Sequence, residues 1–157
     1  MSPVKPIPAG YHSITPSLTC KDAPRAIEFY KKVFGGQELM RSATPDGSKI
    51  THAEIKIGDS IIFVNDEMGP QTAEAPGAQK ISLFLYVENA DATFNRAVEA
   101  GSKVTMPLEN QFWGDRFGNL IDPYGHSWGI ATHVEDLTPE EIGKRAAAFF
   151  AKAAGKS

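Results

Sequence analysis

The side chains best equipped for chemistry fall into two groups. His52 and Glu54 stand two apart in the run Ile50-Thr51-His52-Ala53-Glu54-Ile55-Lys56-Ile57. On a β-strand that spacing puts an imidazole and a carboxylate on one face, while Ala53, Ile55 and Ile57 share the other. Such a pair can work as general acid and base, or hold a divalent metal with Asp115 supplying a third oxygen. The plain alternative is an exposed polar face on an outer strand. The second group, Trp113-Gly114-Asp115-Arg116, interrupts an otherwise apolar strand pattern. There Trp113 can stack on a flat ligand and Arg116 can pair with its anionic group bidentately. Equally, Arg116 can neutralise Asp115 or Glu54 while Trp113 fills a seam between structural units. Phe63 and Phe84 sit in strands whose register can turn them into a cavity, although core packing is an ordinary fate for strand aromatics. No Ser/His/Asp or Cys/His nucleophile arrangement is legible, nor is a glycine-rich phosphate loop.

The elements that must position these groups come as a repeated plan. Ile14-Thr15-Pro16-Ser17-Leu18 leads into Asp22 and an amphipathic segment, and Ile81-Ser82-Leu83-Phe84-Leu85 leads into Asn89 and another. The same 67-residue offset separates Asp22 from Asn89 and Gly58 from Gly125. One supersecondary unit used twice makes the seam between copies a natural place for a ligand. In the first copy the pattern predicts a strand over 13–20, a helix over 23–34 and strands over 37–44, 50–57 and 60–64. Gly35-Gly36 stops that helix, and Pro45-Asp46-Gly47 and Gly58-Asp59 turn the chain. Residues 65–79, with Gly69, Pro70, Pro76 and Gly77, read as the connecting loop. The second copy predicts a strand over 80–87, a helix over 90–100, and strands over 103–106, within 112–121 and over 126–132. Both copies are thus β-α-β-β-β. Thr138-Pro139-Glu140-Glu141 then caps a last helix whose Ile142, Ala146, Phe149, Phe150 and Ala153 line one face. That stripe must be covered by the domain itself or by a second subunit.

Bulk properties set the class. The 157 residues are enough for one ordinary domain with a sizeable core, and 41% hydrophobic with 22% charged residues is the balance of a soluble globular protein. A formal charge of −3 gives no electrostatic footprint for nucleic acid. No apolar run approaches the ~20 residues that span a bilayer, and no secretory leader pattern is legible. A single cysteine, Cys20, excludes an internal disulfide and points to a reducing, cytoplasmic setting; at the end of an apolar strand it reads as a small buried side chain. The opening MSPVKPIPAG reads as an extended lead-in, and His12 as a surface or dimer-edge residue. His126 falls on the helix side of the last strand and His133 at its end.

Several stretches together resemble a known family. They are Ile7-Pro8-Ala9-Gly10-Tyr11-His12, Phe29-Tyr30 with Phe34-Gly35, and His52 to Asp59. They continue with Gln111-Phe112-Trp113-Gly114-Asp115-Arg116, Asp122-Pro123-Tyr124-Gly125-His126-Ser127-Trp128 and Ala131 to Asp136. In this order they are similar to the vicinal oxygen chelate superfamily of glyoxalases, bleomycin-resistance proteins and dioxygenases, and within it to the PhnB-like branch, over roughly residues 7–145. The resemblance implies an α+β fold in a single domain spanning 1–157. Module one covers about 11–66, module two about 79–133, and a C-terminal helix about 138–153. Each module would contribute a curved four-stranded mixed sheet to the wall of a cavity, commonly in a homodimer.

Enzymes of that superfamily hold a divalent metal with one side chain from each of four strands. Carried over by the Phe-Tyr helix and the Asp-Pro-x-Gly turn, those positions are Thr15, Phe63, Ser82 and Gly129. None offers the imidazole or carboxylate donor such a cation takes at about 2.0–2.2 Å. A one-residue slip offers no better ligand and turns the side chain to the other face. The expectation is therefore a metal-free, PhnB-like protein that binds a small organic molecule in an apolar cavity, with Thr15, Phe63, Ser82, Phe84, Trp113 and Arg116 as ligand contacts. The alternative is a lyase, isomerase or dioxygenase-like enzyme using Glu54 and His52, with Asp115 as a further candidate and with or without a divalent metal. A scaffold without any ligand is the third reading.

Overall fold

A computed structural model describes residues 7, 9–12, 14–67 and 81–155. The chain divides into two compact units, Met1–Lys80 and Ile81–Ser157. The first unit runs β1 (Ser17–Cys20), α1 (Ala23–Phe34), β2 (Gln37–Ala43), β3 (Ile50–Ile57) and β4 (Ser60–Asp66). Its four strands form one sheet in the order β1-β4-β3-β2, with β1 and β4 parallel and the other neighbours antiparallel. The second unit repeats the plan with β5 (Ser82–Tyr86), α2 (Ala90–Glu99), β6 (Lys103–Asn110), β7 (Asp115–Ile121) and β8 (Ser127–His133), ordered β5-β8-β7-β6, and adds α3 (Pro139–Ala154). The fold class is α+β, two βαβββ modules plus a C-terminal helix. Among the described residues no helix is long and apolar enough to cross a membrane.

Local chemistry sets the helix ends. Asp22 caps α1 by accepting from the Arg25 amide at 3.3 Å, and Asn89 caps α2 by accepting from the Ala92 amide at 3.0 Å. Gly35, at φ +69°, ends α1 in a conformation side-chain-bearing residues resist. The buried face of α1 (Ala23, Ala26, Ile27, Phe29, Tyr30 and Val33) packs against β3 and β4. Gly36 permits the close approach, since a Cβ there would meet Ile55 Cγ2 at 2.9 Å. In the second unit Phe94 of α2 presses on Gly118 of β7, where a Cβ would meet its ring at 2.7 Å. These contacts fix which face of each sheet is covered. Ala53, Ile55, Ile62 and Val64 are buried in the first unit, as are Leu120, Trp128 and Ile130 in the second.

Several boundaries move from the sequence-based expectation, for physical reasons. The first strand begins at Ser17, not at residue 13: Pro16 has no N–H to give the parallel ladder and contributes only its carbonyl, which accepts from Phe63 at 2.8 Å. The strand expected over 103–106 continues to Asn110 through Pro107, which β6 tolerates as an edge strand with register shifts between Val104 and Met106 and between Met106 and Glu109. The expected loop 65–79 loses Asn65 and Asp66 to β4, and its part from residue 68 lies outside the described residues, as does most of the proline-rich lead-in. The Thr138/Glu141 capping box on α3 forms, with reciprocal contacts of 3.2 and 3.0 Å. No α3 residue is buried, although Phe112 meets Phe149 and Phe150 at ring separations of 5.3 and 6.1 Å.

One carboxylate ties the first unit's elements together. Asp66, 4% exposed, accepts from the Ala23 amide at 2.7 Å through one oxygen and from the Ile50 amide at 2.7 Å through the other. It thereby joins the end of β4 to the first turn of α1 and the start of β3. Replacing Asp66 with alanine leaves two buried donors unsatisfied, so urea denaturation should report a loss of roughly 2–5 kcal/mol. A loss under about 0.5 kcal/mol, the range of ordinary surface changes, would contradict this role.

Candidate functional site

Alternation along β3 turns His52 and Glu54 away from α1, while Ala53 and Ile55 are fully buried beneath it. Across the ladder Glu54 stands opposite Phe63 of β4, and Phe63 stands opposite Ser17 of β1. The three-strand row ends in a polar constellation. His52 Nε2 lies 3.1 Å from Glu54 Oε1, and the Tyr11 hydroxyl donates to Glu54 Oε2. The His52 ring meets Phe63 edge-on at 4.6 Å, and Tyr11 lies 6.2 Å from the same ring. Tyr11, with His52 second, holds the Glu54 carboxyl below its ordinary range, against the opposing effect of burial. The Tyr11 phenol is correspondingly raised, because its proton is committed to Glu54. His52 and Glu54 are thus coupled as their spacing implies, with Tyr11 as an unforeseen third member from 43 residues away.

The open face of the second sheet is laid out in rows. Ser82 pairs with Ser127, Phe84 with Gly129 and Tyr86 with Ala131 across β5 and β8; Asn119, Phe117 and Asp115 follow on β7 opposite Gly129, Ala131 and His133. Phe84 and Phe117 stack with ring centroids 5.2 Å apart and planes 5° from parallel. They lie over Gly129, where a Cβ would meet Phe117 at 2.7 Å and Phe84 at 3.2 Å. Tyr86 adjoins Phe84 at 4.9 Å and Trp113 adjoins Phe117 at 5.8 Å, giving an aromatic ledge on which Phe84 is 50% and Tyr86 59% exposed. At one end Ser82 and Ser127 hydroxyls lie 3.2 Å apart, and Asn119 donates to Thr105 at 2.8 Å.

At the other end a buried carboxylate gathers the polar edges of the ledge. Asp115, 3% exposed, accepts from Tyr86 Oη at 2.9 Å and Trp113 Nε1 at 3.0 Å through one oxygen, and its second oxygen lies 2.9 Å from His133 Nδ1. His133 Nε2 lies 2.8 Å from Asp136. Asp115 first, then Asp136, raise His133 above the ordinary imidazole value. The turn that presents Trp113 and Asp115 is strapped to the chain after β8: the Gly114 carbonyl accepts from Val134 and Glu135 amides at 2.9 and 3.0 Å. Gly114 itself is at φ +100°, and a Cβ there would come within 2.6 Å of the Glu135 carbonyl oxygen. No side chain but glycine's suits that turn.

Each residue singled out from the sequence now has a place. Phe84 and Trp113 belong to the ledge, Ser82 to its polar end, and Asp115 anchors the opposite end. Phe63 lies on the first unit's open face beside Tyr11 and His52, and Thr15 is half-buried ahead of β1. Arg116 goes elsewhere. Being adjacent to Asp115, it projects from the opposite face of β7, where its guanidinium forks onto Asp91 of α2 at 2.7 and 2.8 Å and touches Asn110 at 3.2 Å. Its partner is neither Asp115 nor Glu54. His133 was not among the candidates, although it is directly opposite Asp115 on the neighbouring strand. Of the residues the resemblance assigns to metal positions, Phe63 and Gly129 have no donor atom in their side chains, and Ser82 shares its hydroxyl with Ser127. Among the described residues no group of three His, Cys, Asp or Glu side chains is arranged to hold a metal ion.

The family model described as the Glyoxalase/Bleomycin resistance protein/Dioxygenase superfamily matches residues 10–130. An uncharacterised protein of Mycobacterium bovis is 38% identical over 137 residues, covering 83% of this chain and 89% of its own length. The crystal structure of TioX from Micromonospora sp. ML1 is 27% identical, with a TM-score of 0.60 over 81% of this chain and all of that one. The PhnB protein of Bacillus cereus, 22% identical, has the same fold at a TM-score of 0.63, covering 77% of this chain and 99% of its own.

Two titrations follow from the two carboxylate clusters. His133 has a raised folded-state pKa, so its stabilising contribution is complete below the unfolded value of 6.5 and fades as pH rises through the raised one. The destabilisation caused by His133→Asn should therefore be larger in mildly acidic than in alkaline buffer; a difference independent of pH would contradict the ion pair. Glu54 has a lowered pKa, so its contribution is present above 4.5 and is lost as pH falls through the folded value. In Tyr11→Phe, which removes the largest cause of the shift, the Glu54 carboxyl resonance should titrate closer to its ordinary range. An unchanged midpoint would rule out the Tyr11 contact as that cause.

Proposed function

Because the chain belongs to the Glyoxalase/Bleomycin resistance protein/Dioxygenase superfamily, we propose that it is a PhnB-like protein that binds a flat organic molecule without the superfamily's metal. The observation that carries this reading is the aromatic ledge of the second sheet. Phe84 and Phe117 lie parallel over a glycine floor, and Phe84 remains half exposed. Large apolar side chains kept in solvent cost hydration free energy, and a planar ligand that covers them recovers it. Offset stacking adds about 0.5–1.5 kcal/mol per aromatic pair beyond area burial.

The Tyr11–Glu54–His52 constellation is the observation that favours a second reading, an acid–base enzyme. Its electrostatics point the other way. A carboxylate that removes a proton from carbon works best with its pKa raised toward neutrality. Tyr11 and His52 instead stabilise the charged form of Glu54 and weaken it as a base. Binding therefore stands ahead of turnover.

Two measurements test the proposal. In a thermal-shift panel of planar aromatic compounds, a ligand at 100 times its Kd should stabilise the protein by about 2.7 kcal/mol, and Phe84→Ala should abolish most of the shift. No stabilisation by any compound, or shifts that survive in Phe84→Ala, would remove the ledge from the account. Metal analysis of protein purified without chelator should find well under one equivalent of manganese, iron, nickel or zinc. A full equivalent lost in both His52→Ala and Glu54→Gln would establish the metalloenzyme reading instead.

A further inference from the structure

The ledge ends at His133, and the surroundings of that imidazole define what it can receive. Both ring nitrogens face carboxylates: Nδ1 lies 2.9 Å from Asp115 and Nε2 lies 2.8 Å from Asp136. An ionised carboxylate only accepts hydrogen bonds, so the two contacts are made together when both ring nitrogens carry hydrogen, as in the imidazolium form. The two carboxylates are unlike. Asp115 is 3% exposed and is fixed by Tyr86 and Trp113 as well as by His133, so it holds the ring with Nε2 directed outward. The Asp136 side chain is fully exposed and has no constraint of that kind. Asp136 thus occupies Nε2 as a loosely held internal carboxylate, in the position a ligand's carboxylate would take.

We propose that His133 Nε2 is the anion-binding end of the second sheet's open face and that the ligand is a planar aromatic carboxylic acid. The inference rests on the ligand-binding reading above and names the chemical class. The spacing suits such a molecule. Asp115 and Phe117 are successive residues on one face of β7, about 7 Å apart along the strand. A bicyclic ring system stacked on the outer face of the Phe84–Phe117 pair therefore directs a carboxylate on its edge toward the His133 row. Tyr86 and Trp113 border both parts, since each belongs to the ledge and donates to Asp115. Displacing Asp136 conserves the charge around the imidazolium, because one carboxylate replaces another.

Equilibrium binding of naphthalene-2-carboxylate and its neutral isostere naphthalene-2-carboxamide, followed by tryptophan fluorescence in slightly acidic buffer, separates the components. A charge-assisted hydrogen bond contributes about 1.5–3 kcal/mol, so the acid should bind wild type at least ~10-fold more tightly than the amide. His133→Gln should reduce that preference to near unity. Asp136→Asn, a change at a fully exposed position, should tighten the acid several-fold and leave the amide unchanged. Equal binding of acid and amide to wild type, or a preference that persists in His133→Gln, would overturn the anion site and leave the aromatic ledge standing. Binding of neither probe would overturn both readings, and an unaltered acid affinity in Asp136→Asn would overturn the displacement step.

Discussion

Two helices and the period-2 alternation of β-strands decide what this protein presents. Burying Ala53 and Ile55 beneath α1 obliges His52 and Glu54 to face the other way, because successive strand residues point to opposite faces. Pressing Phe94 of α2 against Gly118 does the same for Asp115, Phe117 and Asn119. Slipping either strand by one residue would place charged groups under a helix and apolar groups outside, a change hydrophobic burial strongly opposes. The helix-facing core is therefore what composes the open faces.

The two units use this constraint to build two unlike acidic sites. Glu54 accepts from a tyrosine and lies against a histidine, and it is kept charged. Asp115 also receives a tyrosine and a histidine, but it is more deeply buried and takes a tryptophan N–H as well. A buried charge is tolerated only when its lone pairs are satisfied, and three donors from three segments do so here. The consequence is mechanical as well as electrostatic. Asp115 fixes the rim of the aromatic ledge, whereas Glu54 stands at the edge of a smaller aromatic group formed by Phe63 and Tyr11.

Much of the fold was legible because it depends on local rules. Asp22 and Asn89 as caps, Gly35 as a stop, and the alternation in Ile50–Ile57 each act within a few residues and predict their elements closely. The start of β1 was not, because Pro16 breaks the ladder through a missing hydrogen bond that matters only once β4 is alongside. The candidate site divides in the same way. The shared face of His52 and Glu54 follows from spacing alone, whereas Tyr11 reaches Glu54 only through the folded chain. Arg116 shows the limit of reading residue type without parity: one residue after Asp115, it belongs to the helix side and to Asp91. His133 was visible only as the end of a strand. Its role required knowing that β7 and β8 are antiparallel with Asp115 and His133 in register.

The proposed resting place of a flat ligand is the open face of the second sheet. Aromatic and imidazole resonances assigned by NMR test it most directly when a bound compound is titrated in. Shift changes should cluster at Phe84, Tyr86, Trp113, Phe117 and His133 while the buried Leu120 and Ile130 remain unchanged. Perturbations confined to Tyr11, His52 and Phe63, with the second sheet silent, would contradict it.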